Sequence, residues 1–146
     1  MANKLTICGD LSASGSIYGT LDGGVNSNCG TNNTWSGSGA LNSVTAAARD
    51  NTAYGKSTLY SVTSGDYNTA FGTFGLYSTT TANFNTAIGW NSLYGNTTGV
   101  ANTASGAYAL QANTTASYNS GFGVHALKSN TTGSYNTAVG TCAFQD

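Results

Sequence analysis

Groups able to do acid–base or nucleophilic chemistry are few and scattered along the chain. The acids are Asp10, Asp22, Asp50, Asp66 and Asp146, and there is no glutamate. His125 is the single histidine, and the cysteines are Cys8, Cys29 and Cys142. Catalysis needs titratable groups that converge on one point. Asp50 and Asp66 fall in neighbouring turns, where an aspartate is ordinarily a solvated turn residue; at most they share a cation. A Ser/His/Asp or Cys/His set can be drawn, but no spacing brings its members together. His125, beside Ala126 and Leu127, reads as a surface or interface residue. The glycine strings are not followed by Gly-Lys-Ser/Thr and are not phosphate loops. Three distant cysteines without a Cys-x-x-Cys pair form neither a disulfide framework nor a zinc site. They read as small buried hydrophobes, with a Cys8–Cys29 bridge or inter-chain pairing as alternatives. The expectation is no enzyme, no cofactor and no metal.

Aromatic residues are the one inventory suited to binding. Tyr60, Tyr77 and Tyr94 are spaced by 17 residues, and Trp35 and Trp90 stand outside any pattern. Exposed Tyr and Trp stack on sugars and offer amphipathic contact surface. The same rings also stabilise neighbouring strands, which is their commoner duty. Tyr60, Tyr77, Tyr94 and Trp90 are therefore candidate glycan or receptor contacts.

The elements that must position these residues come from a repeat. NTAYG at Asn51, NTAFG at Asn68, NTAIG at Asn85, NTASG at Asn102, NSGFG at Asn119 and NTAVG at Asn136 keep a spacing of 17 residues without a slip. A degenerate copy, NTWSG, begins at Asn33, one residue further away. Such a fixed period marks a stacked-repeat architecture. With the Asn as position 1, position 3 is Ala or Gly, position 5 is Gly, and position 9 is Leu, then Phe144. Positions 17, 2 and 4 share one face of an extended segment, bearing aromatic, Thr and apolar residues. Positions 1, 3 and 5 share the other, bearing Asn, Ala and Gly. Thr, Tyr, Phe and Ile favour strand, and a Gly in each unit disfavours helix. Positions 6–10 fit a helical turn or a second short strand, and Asn-Thr-Thr-Gly reads as a turn. Position-1 asparagines are placed to form an amide ladder, and the position-10 and position-17 tyrosines to stack.

The expected fold is all-β: an elongated solenoid or β-roll with one coil per 17 residues over 33–146. Residues 1–32, with short strands broken at Gly9, Gly15 and Gly19, form an attachment segment or cap. An Ala/Gly face lets a second backbone approach closely, and so little apolar bulk per coil makes a monomer marginal. Both favour a homo-oligomer, although a thin single-chain coil also accounts for that face.

Composition agrees with a fibrous protein. Thr, Gly, Asn and Ser supply 77 of 146 residues, and charged residues only 6%. The net charge of −1 gives no footing for nucleic acid or an anionic membrane. Sixteen aromatics and no proline argue against disorder. No apolar run reaches the ~20 residues of a membrane helix, and the start lacks signal-peptide features. Asn32, Asn96, Asn113 and Asn130 match Asn-x-Ser/Thr and read as turn residues instead of glycan sites.

The NTA-x-G-x-x-x-L and NTTGSYNTAVG patterns resemble repeats of bacteriophage tail fibres and related virion appendages. They are also similar to the Asn-Ser-x-Ala-x-Gly repeats of trimeric autotransporter adhesin heads, which form β-rolls in trimers. GDLSASGSIYG resembles glycine-spaced segments of phage fibres. The adhesin heads have shorter units, and their export signal and membrane anchor are not found here. Nor is the self-cleaving chaperone domain of many phage fibres. The resemblance implies a homotrimeric fibre subunit located on a virion or outside the cell. Its implied partners are other virion proteins, through the N-terminal segment, and host-surface glycans. An adhesin head or self-assembling cell-surface filament is the alternative. An ice-binding solenoid is a weaker reading, because Asn-Thr-Ala supplies one Thr per strand where a flat array needs two.

Overall fold

The computed structural model describes residues 32–45 and 47–145. The segment before the repeats, with Cys8 and Cys29, lies outside the described residues, as does Asp146. Every regular element within them is a strand of three residues at repeat positions 2–4. They are β1 (Thr34–Ser36), β2 (Thr52–Tyr54), β3 (Thr69–Phe71), β4 (Thr86–Ile88), β5 (Thr103–Ser105), β6 (Ser120–Phe122) and β7 (Thr137–Val139). The seven form one parallel sheet in chain order. Register is one unit per step: Thr52 pairs with Thr69, Ala53 with Ala70 and Tyr54 with Phe71. The protein is an all-β solenoid whose coil is the 17-residue unit. At ~4.8 Å per strand, the stack is ~30 Å long.

The strand alternates as its composition predicts. Positions 17 and 4 face outward, positions 1 and 3 inward, and Ala53, Ala70, Ala87 and Ala104 are wholly buried. This corrects one expectation. The Ala row lines the interior of the single coil, packed in one core with the leucines, and gives no surface to a second chain. Small residues are needed there because the coil is thin and its opposite wall is close.

Positions 6–10 form neither a helical turn nor a second strand. They are a turn built on left-handed residues, with Phe74, Asn91, Tyr108 and His125 at position 7 having φ of 54–61°. At position 9, Leu59, Leu76, Leu93, Leu110 and Leu127 have φ of 47–51°. A left-handed residue costs ~1–2 kcal/mol for a side chain with Cβ. In return the chain corners so that positions 8 and 9 both point inward, which strand alternation forbids. Thr58 and Leu59, and Ser92 and Leu93, are buried as pairs. Burying a leucine contributes ~1.5–3 kcal/mol, and Leu76 N–H also donates to Ser92 C=O of the next coil at 3.1 Å. Position 5 is glycine for two reasons. Gly89 has φ 125°, and a Cβ there would lie 2.8 Å from the Gly106 carbonyl carbon.

The expected asparagine ladder runs through the core. Asn85 Oδ1 accepts the Asn102 backbone N–H at 2.9 Å and the Asn102 side-chain amide at 3.2 Å. The Asn85 amide donates to Asn68 Oδ1 at 3.2 Å and to Gly99 C=O at 2.9 Å. Each buried amide thus has partners above, below and across its own coil, as a buried polar group requires. A second ladder, absent from the earlier coils, begins at position 12. Asn113 donates to Asn96 Oδ1 at 2.9 Å, and Asn130 to Asn113 Oδ1 at 3.1 Å. Val44 and Val62 occupy the same place in earlier coils. Asn96 and Asn113 are therefore fully buried and closed to glycan attachment.

Trp35 takes the place of the position-3 alanine in β1 and pairs in register with Ala53. It lies half-buried against the core cluster and covers the first described coil. That accounts for a tryptophan in a row of alanines.

Candidate binding surface

The titratable residues serve local structure. Asp66 accepts the Arg49 backbone N–H at 2.7 Å, and its other oxygen lies 3.9 Å from the Arg49 guanidinium. Asp50 accepts the Asn32 side-chain amide at 3.1 Å. Each aspartate has its own partner one coil away. His125 rests against the Tyr108 ring at 5.1 Å, with Cys142 Sγ at 4.0 Å from its Nδ1. Among the described residues no three His, Cys, Asp or Glu side chains cluster to hold a metal.

The candidate tyrosines come together. Tyr60, Tyr77 and Tyr94 form a continuous stack, with centroids 5.0 and 5.1 Å apart and planes within 10° of parallel. Phe74 meets Tyr77 edge-on at 5.7 Å. Stacking covers both faces of Tyr77 and leaves edges and hydroxyls outward, whereas stacking on a sugar needs a ring face. Trp90 is half exposed and packs on Tyr108, tilted by 56° with centroids 4.9 Å apart. Lys128 Nζ lies 5.4 Å from the same Tyr108 ring, within cation–π range. This flank therefore carries an exposed indole, the Tyr94 edge and two cations, Lys128 and, on an earlier coil, Lys56.

A larger surface was not singled out from sequence: the outer face of the sheet together with the left-handed corner at position 17 that leads into each strand, where Tyr67, Phe84, Tyr118 and Tyr135 have φ of 59–64°. Nine of the thirteen exposed large hydrophobics lie on it, so apolar exposure is concentrated there. One row, at position 17, carries Tyr67, Phe84, Tyr118 and Tyr135; the other, at position 4, carries Tyr54, Phe71, Ile88, Phe122 and Val139. Between them runs a Thr/Ser row at position 2. Tyr67 stacks on Phe84 at 5.1 Å, Tyr118 on Tyr135 at 5.0 Å, and Tyr54 on Phe71 at 5.4 Å. Ala101 and Ser105 thin both rows at β5. The only charge in the three rows is Asp50. The signal was visible in sequence as the aromatic/Thr face. What sequence did not decide is that this face points to solvent in the single chain.

The chain matches no protein-family model, no curated protein and no solved structure.

Proposed function

We propose that this protein is a non-catalytic structural subunit of a virus particle, a segment of a phage tail fibre or appendage that works as a homotrimer. Residues 1–32 join it to other virion proteins, and the assembled rod attaches the particle to host-surface glycans. The observation that carries the reading is the unbroken solenoid with its interior closed by asparagine ladders. Such a coil leaves function to a rigid, repetitive outer surface, which is the property a fibre uses. The sequence resemblance to phage fibre repeats supports the viral setting. Tyr94 and Trp90 on the exposed flank, with Tyr60 and Tyr77 behind them in the stack, are the proposed glycan contacts. Three copies around one axis repeat each weak contact and add avidity.

A glycan array and a host-cell binding assay on the assembled oligomer test the attachment role. Binding that weakens in Trp90→Ala supports it; no binding to host cells or envelope glycans reduces the protein to a structural spacer. Release of reducing sugar from host polysaccharide would overturn the non-catalytic reading. The alternative, an adhesin head or cell-surface filament, predicts free assemblies in electron micrographs where the fibre reading predicts particle-bound ones.

A further inference from the structure

We infer that the outer face of the sheet is where copies of this chain meet, and that they meet cyclically, the position-17 row of one copy against the position-4 row of the next. The inference rests on the homotrimer reading above and names its contact surface. Three observations carry it. First, the face is large. Nine side chains, 42–78% exposed and of ~150–250 Å² when aromatic, offer roughly 900 Å². Monomers show patches of ~300–600 Å², which the whole face exceeds; in a ring each chain gives one row, roughly half of this area, to each of two neighbours. Second, the face is nearly uncharged. Asp50 sits at one end of it, so no like-charge repulsion opposes a second copy along β3–β7. Third, the apolar surface is divided. Two apolar rows are set four residues apart, from the left-handed corner at position 17 to the strand end at position 4, with the threonine row between them.

The division sets the pairing. Rotation about an axis parallel to the stack brings the position-17 row of one copy against the position-4 row of the next, apolar to apolar, with the threonine rows facing the axis. Unlike surfaces that close by rotation make rings. In register, Phe84 of one copy stands level with Ile88 of the next, because Phe84 lies two residues before β4 and Ile88 is its last residue.

Sedimentation equilibrium of the full chain tests the surface. Wild type and Thr98→Lys, a charge placed on an exposed turn outside the face, should both run as trimers. Phe84→Lys and Phe122→Lys should weaken assembly at least tenfold while circular dichroism stays unchanged. A trimer indifferent to both variants would overturn the proposed surface and leave the trimer standing; a folded wild-type monomer would overturn the trimer itself. Disulfide trapping tests the symmetry in chains with Cys8→Ser, Cys29→Ser and Cys142→Ser. Phe84→Cys chains mixed with Ile88→Cys chains should cross-link under mild oxidation, and neither should do so alone. Cross-linking within either single preparation, or none in the mixture, would overturn the cyclic contact.

Discussion

Replacing Asn85 by alanine is the sharpest perturbation of the interior. In the wild type its Oδ1 takes two donors from Asn102, the backbone N–H and the side-chain amide. Its own amide serves Asn68 Oδ1, Asn83 C=O and Gly99 C=O. These acceptors keep other donors after the change. Gly99 C=O retains the Asn96 amide at 3.0 Å, Asn83 C=O retains Ala101 N–H at 3.1 Å, and Asn68 Oδ1 retains the residue-85 backbone N–H. The two Asn102 donors lose their shared acceptor in a buried site. The Asn102 amide keeps Ala116 C=O at 2.9 Å, so its backbone N–H is the donor left without an acceptor; an unsatisfied buried donor costs ~1–3 kcal/mol and a lost ladder bond about 1 more, so Asn85→Ala should cost roughly 2–4 kcal/mol. Asn136 supplies the internal comparison. It has the same repeat position but is exposed, and its amide makes one ladder bond, to Asn119 Oδ1 at 3.1 Å. Asn136→Ala should cost ~0.5–1.5 kcal/mol. Urea titration followed by circular dichroism measures both. Equal costs for the two substitutions, or an Asn85→Ala cost below about 1 kcal/mol, would refute the ladder as a principal source of stability.

Gly89→Ala should destabilise by ~1–3 kcal/mol, because φ of 125° and the close Gly106 carbonyl both exclude a Cβ; denaturant midpoints check it. Ala87→Leu should cost ~1–3 kcal/mol through overpacking of the coil's own interior. The cost should appear in unfolding of the chain itself, including any monomer, and not only as weaker assembly. Tyr77→Ala removes two stacked neighbours and should cost ~1–3 kcal/mol, since each such pair contributes ~0.5–1.5; a thermal melt reads it.

Much of the coil was legible because its period is unbroken. Asn51 to Asn136 fixed the unit, Thr-Ala-x gave the strand, and stacking of equal positions gave both the asparagine ladder and the tyrosine stack. Two features were not legible. A leucine with positive φ runs against its intrinsic preference, so nothing in Gly-x-x-x-Leu announces a left-handed corner; that geometry exists because the neighbouring coils hold it. The alanine row was ambiguous for a different reason. A small residue permits close approach without saying whether the other wall belongs to the same chain or to another. In this fold it belongs to the same chain, and the apolar surface exposed to solvent is the aromatic/threonine face. For the candidate contacts, the 17-residue spacing of Tyr60, Tyr77 and Tyr94 foretold a stripe. It did not foretell that stacking would hide the ring faces and leave Trp90 and the Tyr94 edge outermost.

The claim that this rod is a virion fibre subunit is tested most directly by mass spectrometry of purified particles, combined with immunogold labelling in electron micrographs. The account predicts peptides from the 17-residue repeats in intact particles and gold on thin appendages. Absence from particles, with the protein recovered instead as free filaments or on cell surfaces, would contradict it.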